Sequence, residues 1–126
     1  MITLKRAYDP ATSTDGVRYL VERLWPRGVK KTALRIDAWL KDVAPSGELR
    51  RWFGHDPKKW GEFQRRYHDE LRASADALEP IVKAARRGRV TLVYSSHDTE
   101  HNNAVALKEY LDARKGKKQT PDKPAA

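Results

Sequence analysis

The stretch "VTLVYSS", residues 90 to 96, is the tightest constraint in this chain. From Val90 to Tyr94 β-branched and apolar side chains follow one another without polar alternation, between Gly88 and a polar loop. A strand that reads this way is buried on both faces, and such strands belong to parallel sheets covered by helices. The fold class that follows is α/β: a small, largely parallel sheet flanked by helices, a Rossmann-like sandwich.

The other elements are read from the same rules. Residues 2–6, "ITLKR", alternate as a strand, and "YDPATSTDG" is a turn-rich loop broken at Asp9-Pro10 and Asp15-Gly16. A second strand starts at Val17 in "VRYLVERL". There Val17, Tyr19 and Val21 share one face, Leu20 and Leu24 the other, and Arg18 and Glu22 dilute the second. Ile36, Trp39, Leu40 and Val43 stand at helical spacing, which predicts a helix over 36–43. Ser46 caps a short helix through Leu49, Trp52 and Phe53 that Gly54 ends. Asp56 and Pro57 start the next, in which Trp60, Phe63, Tyr67 and Leu71 step by three and four residues as a core stripe. A further helix runs to about Arg87 with Pro80 in its first turn and Gly88 as its stop. The closing helix begins near His101 and buries Ala104, Leu107 and Leu111. No internal repeat is present.

At 126 residues the chain suits one domain with one core. With 39% apolar and 34% charged residues and four tryptophans, it can bury that core under a charged surface. The absence of cysteine excludes disulfides, thiolate nucleophiles and cysteine-ligated zinc. "MITLKRAYDP" does not read as a signal peptide and no stretch is long and apolar enough to span a bilayer, so a cytoplasmic protein without a membrane partner is expected. The net charge is +9, and residues 114–126, "RKGKKQTPDKPAA", carry five Lys/Arg against one Asp. The expectation is a single α/β domain over 1–113 followed by a disordered basic tail over 114–126.

Ligands of open α/β sheets bind beyond the carboxyl ends of the strands, here residues 23–28 and 95–103. In "RLWPRG", Trp25-Pro26-Arg27-Gly28 suits a type I turn. Such a turn holds Arg23 and Arg27 beside Trp25, where guanidiniums grip an anion and an indole covers a ring. The competing reading has Trp25 plugging the core and both arginines paired with nearby acids. "SSHDTEHNNA" places Ser95, Ser96 and Asn102 before a helix start, where hydroxyls and backbone N–H groups attract anions. Asp98 and His101 are its acid/base candidates, because a carboxylate-oriented imidazole carries protons near neutral pH. Asp98 or Thr99 equally suits an ordinary N-cap. His55 in "WFGHD" is a weaker candidate. "HDTEH" matches the H-x-x-E-H pattern of inverted zinc proteases, but that chemistry needs both histidines on one face of a helix, and His97 comes directly out of a strand. No metal is expected, and no cofactor is specified.

Taken together, "DGVRYLVERLWPRGVKK", "WLKDVAPSGELRRWFGHDPKKWGEFQRRY" and "VTLVYSSHDTEHNNAVALKEYL" resemble the YeaO-like family of domains of unknown function over residues 2–111. The tail lies outside the resemblance, and the family pattern does not call for a histidine at His97. The resemblance implies a fold and a site region and no reaction. Some members carry a methyltransferase label for porphyrin chemistry, but this chain lacks a glycine-rich cofactor loop.

Two functions compete. One is an enzyme of the hydrolase or transferase type, or a binding domain, whose partner is a phosphate-bearing small molecule held by Arg23, Trp25, Arg27, Ser95, Ser96 and Asn102. The other is a nucleic-acid-binding module acting through the basic surface of residues 56–72, the run Arg86-Arg87-Gly88-Arg89 and the tail. An interaction domain without a ligand is the plain alternative.

Overall fold

Residues Val90–Tyr94 form strand β4, and every one of them is buried. The computed structural model describes residues 1–122, with side chains for 1–114. In it β4 lies between two parallel strands, β1 (Ile2–Arg6) and β2 (Val17–Leu20). A two-residue strand β3 (Ala38–Trp39) adds to β2 and gives the order β1-β4-β2-β3, all parallel. The register runs from Ile2 opposite Val90 to Arg6 opposite Tyr94, and from Val17 opposite Val90 to Leu20 opposite Val93. Because the three strands end level, the loops after β2 and β4 leave the sheet at the same edge.

The faces of the sheet are covered unequally. Val90, Leu92 and Tyr94 point into the larger cluster, with Phe53, Phe63, Tyr67 and Leu107. That cluster is built by helices α2 (Gly47–Phe53), α3 (Trp60–Ala73), α4 (Glu79–Arg87) and α5 (Asn103–Asp122). On the other face Val93, Leu20, Ala7 and Leu34 meet Trp25, Val29, Ile36 and Trp39 under the one-turn helix α1 (Lys31–Leu34). Each fully buried Leu or Phe contributes about 1.5–3 kcal/mol, so the helical face supplies most of the apolar stabilisation.

Most helix boundaries follow the local chemistry. Ser46 Oγ accepts the Leu49 N–H at 3.1 Å, and Gly54 closes α2 in the left-handed region. Asp56 caps the short 3-10 turn Pro57–Lys59 that leads into α3. Glu70 of α3 accepts both the Ser46 N–H, at 2.8 Å, and the Ser46 hydroxyl, at 2.6 Å. This ties the start of α2 to α3 and sets where Arg50 stands. The α3 stripe is core: Phe63, Tyr67 and Leu71 are buried.

Residues 36–43 are not a helix. They form β3 and the 3-10 turn Lys41–Val43, with Leu40 N–H donating to Leu20 O at 2.8 Å. Ile36 and Trp39 join the smaller cluster while Leu40 and Val43 join the larger. Their apolar spacing therefore reflects a chain passing the sheet edge and feeding both faces. The second strand also stops at Leu20, so Arg23 and Leu24 belong to the following loop. α5 starts at Asn103 because Asn102 Oδ1 accepts the Val105 N–H at 3.0 Å.

Within β2, Arg18 is only 4% exposed. Its guanidinium donates to Asp15 Oδ2 at 2.6 Å, to Leu34 O at 2.8 Å and to Arg35 O at 3.1 Å. Lys5 Nζ reaches Asp15 Oδ1 at 3.0 Å. Burial pushes the Asp15 carboxyl up, but hydrogen bonds from Thr12, Lys5 and Arg18 outweigh it and hold it well below the usual carboxylate range. α5 is described to Asp122, past the tail boundary expected at 114. The tail expected over 114–126 lies, beyond Arg114, among residues whose side chains are outside the described residues, as is the backbone of 123–126. Among the described residues no helix is long and apolar enough to cross a membrane.

Candidate functional site

The loop after β2 begins by extending the ladder, with Val21 N–H donating to Val93 O at 3.1 Å. Glu22 follows, its backbone carbonyl accepting the Trp39 indole N–H at 2.6 Å. Arg23 turns away: Nε donates to Pro45 O at 3.0 Å and Nη2 to Ala44 O at 3.3 Å. Trp25 packs edge-on against Trp39, with ring centroids 5.4 Å apart, and donates to Val29 O at 2.6 Å. The tight turn is shifted by one residue from the expected one. Val29 N–H donates to Pro26 O, so Gly28, with φ of 76°, takes the third place. A positive φ there, with none at Arg27, is the type II geometry that favours glycine.

The loop after β4 is tied to the first. Ser95 N–H donates to Glu22 Oε2 at 3.1 Å, and Asn103 Nδ2 donates to Val21 O at 2.7 Å. Arg6 steadies its middle through Ser96 O at 2.9 Å and His97 Nδ1 at 3.2 Å. Asp98 organises its end. Oδ1 accepts the Glu100 and His101 N–H groups, each at 2.9 Å, and Oδ2 stands 3.0 Å from His101 Nδ1. The two backbone donors and the neighbouring imidazole lower the Asp98 carboxyl below its ordinary value. The His101 ring lies edge-on to Trp60 at 5.4 Å.

Between these loops opens a cavity of about 440 Å³, within the range of small-molecule sites. Trp25, Arg27, Ser95, Ser96 and Asn102 all line it, so the two strand-end stretches share one crevice. Arg23 does not line it, nor do Asp98 and His101. Arg23 instead braces the wall segment that contains Pro45, and the Asp98–His101 pair shapes the turn leading to α5. His97 and His101 share no helix, and among the described residues no group of three or more His, Asp or Glu side chains stands ready for a metal ion.

A further wall comes from α2 and α3, through Arg50, Phe53, His55 and Phe63. His55 sits at φ of 57°, a left-handed conformation that costs a non-glycine residue about 1–2 kcal/mol. Arg50 has no ion pair or side-chain hydrogen bond among the described residues. The lining also includes Glu22, whose carboxyl burial pushes up, against the opposing pull of the Ser95 N–H, the Arg50 charge and the Ser95 hydroxyl. The rim carries exposed Leu24 and Tyr8, and the Tyr8 hydroxyl donates to Arg27 O at 3.0 Å.

Sequence reading missed Glu22 and Arg50. Glu22 reads in the sequence as a polar residue in an apolar strand pattern and as a salt-bridge partner for Arg23 or Arg27, and nothing around Arg50 points to it. Neither pattern carries a signal for the crevice.

The family model described as the inactive DUF488-N3 subclade matches residues 1–126. Uncharacterized protein YeaO of Escherichia coli is 41% identical over 110 residues, covering 87% of this chain and 96% of that protein. Uncharacterized proteins of Mycobacterium tuberculosis and Mycobacterium bovis are each 40% identical over 113 residues, covering 90% of this chain and 95% of theirs. No solved structure matches the chain.

Proposed function

The chain belongs to the DUF488-N3 family, in the subclade described as inactive, and we propose that its strand-end cavity binds a small anionic ligand without turning it over. The observation that carries this reading is Arg50, a partly buried guanidinium on the cavity wall with no partner of its own among the described residues. A partly desolvated guanidinium without hydrogen-bond partners loses solvation, and an anion restores it through charge-assisted hydrogen bonds. Arg27 adds a second fork, and Ser95 and Ser96 add hydroxyls to the lining. Trp25 with Phe53 and Phe63 supplies apolar surface beside them. The subclade's description supports binding over turnover.

Titrating the full chain with inorganic phosphate while following thermal unfolding tests the reading. At a ligand concentration 100 times Kd the native state gains about 2.7 kcal/mol, a readily measured shift. Arg50→Ala is expected to abolish it and Arg27→Ala to weaken it. No shift with phosphate, pyrophosphate or a nucleoside monophosphate rejects an anion site.

Nucleic acid is the second reading, and Arg86, Arg87 and Arg89 favour it, being exposed and without an ion pair among the described residues. The α3 surface contributes less, since Arg65 and Arg66 pair with Glu62, and Arg72 with Asp69. Binding of this kind weakens steeply with salt, so retention that is flat from low to high ionic strength rejects it.

A further inference from the structure

A pocket that only gripped an anion would have no use for a carboxylate in its wall. Glu22 stands two residues beyond β2, with the Ser95 N–H on Oε2 and the Ser95 hydroxyl and Arg50 charge also favouring its carboxylate. Its Oε1 has no partner among the described residues. Among the described residues no wholly buried side-chain nitrogen or oxygen lacks a partner, so Oε1 keeps some exposure, in a residue that lines the cavity. Asn103 is similar: its Nδ2 is engaged with Val21 O, which leaves its carbonyl oxygen as the accessible end. Asn102 offers nothing, because its amide bonds Asp98 O and its carbonyl takes the Val105 N–H. The lining therefore combines acceptors, Glu22 and Asn103, with cations, Arg50 and Arg27.

A bare anion on the guanidiniums leaves these acceptors without donors and is repelled by the Glu22 carboxylate. A ligand that separates its charge from a set of N–H donors satisfies both, and the aromatic lining from Trp25, Phe53 and Phe63 suits a flat ring between them. We infer that the occupant is a nucleotide whose base carries adjacent ring and exocyclic N–H donors, the pattern of guanine. The base edge donates to the Glu22 carboxylate, and the phosphate lies on Arg50 and Arg27. Recognition of a base edge by side-chain acceptors, with the ring on aromatic surface, is established chemistry for unpaired bases. Burial around Glu22 strengthens such bonds and makes their loss expensive. This inference rests on the anion site proposed above.

Calorimetric titration of the full chain with GMP, AMP, ribose 5-phosphate and inorganic phosphate separates the two. GMP is expected to bind at least about tenfold more tightly than AMP or ribose 5-phosphate, a difference of about 1.4 kcal/mol. AMP presents only the exocyclic amine, and ribose 5-phosphate no base at all. Glu22→Gln is expected to remove the preference for GMP while leaving phosphate binding in place, and Glu22→Asp to restore part of it. Melting curves of both variants check that they fold. If phosphate binds in an Arg50-dependent way but GMP gains nothing over ribose 5-phosphate, the base inference is wrong and the anion site stands. A GMP preference that survives Glu22→Gln also overturns it. Failure of every phosphate-bearing probe removes the anion site first and this inference with it.

Discussion

β2 has a partly or wholly buried acid at each end, and the two are treated in opposite ways. At its amino end Asp15 is enclosed by Arg18, Lys5 and Thr12, and its carboxyl is pulled far down. At its carboxyl end Glu22 has one backbone donor and no ion pair, and its carboxyl is pushed up. Both sites are polar and both are near the sheet. The difference is that the first satisfies its charges internally, while the second leaves oxygen and guanidinium facing an empty volume. Internal satisfaction marks architecture, and incomplete satisfaction marks a place where a ligand contributes.

The contrast is sharpest where one partner is removed. Asp15→Ala strands the Arg18 guanidinium inside the protein, and loss of one member of a buried pair costs about 3–5 kcal/mol. Chemical denaturation is expected to show that loss, and a change below 1 kcal/mol would mean that Arg18 finds water. Next in size is Arg23→Ala. It frees the Ala44 and Pro45 carbonyls from a charged donor, with an expected loss of about 1.5–3 kcal/mol and no direct effect on the phosphate contacts. Arg50→Ala is expected to do the reverse, shifting stability by no more than about 0.5 kcal/mol while eliminating the phosphate-induced rise in Tm. If Arg23 and Arg50 exchange these phenotypes, the assignment of brace and ligand contact is wrong.

The smallest effect is also the most diagnostic. A carboxyl whose folded value is raised binds its proton more tightly in the native state, so Glu22 weakens stability progressively as pH rises from its unfolded value through its folded one. Glu22→Gln keeps an acceptor for the Ser95 N–H and removes the charge. Its Tm is expected to match the wild type near pH 4 and to exceed it at pH 7. Asp15 and Asp98 have lowered values, so their contributions run the other way, present above the unfolded value and lost as pH falls through the folded one. A Glu22→Gln variant less stable than wild type at pH 7 would show that Glu22 is architectural after all.

Much of the fold was legible because its signals are local. The unbroken apolar run at 90–94, the Ser46 cap with Gly54 as stop, and the stripe Phe63, Tyr67, Leu71 each state their structure within a few residues. Residues 36–43 were misread because helical spacing and a chain serving both sheet faces give the same pattern over eight positions. The turn at Gly28 was misplaced by one residue, since a proline and a glycine two apart fit either register.

The candidate site divides along the same line. That the ends of the second and last strands carry unusual polar chemistry is written in "RLWPRG" and "SSHDTEHNN". Their meeting in one cavity follows from the order β1-β4-β2-β3, which sets β2 beside β4 across about seventy residues of chain. The roles within it were decided later still. Arg23 reads as a ligand contact in the sequence, but Pro45 and Ala44 engage it, while Arg50, on which the sequence is silent, lines the cavity once α2 docks on α3 through Ser46 and Glu70. Residue type determines what a side chain can bind, and that much is local. Whether it is already bound depends on which distant backbone groups the packed fold delivers to it, and only the tertiary structure contains that information.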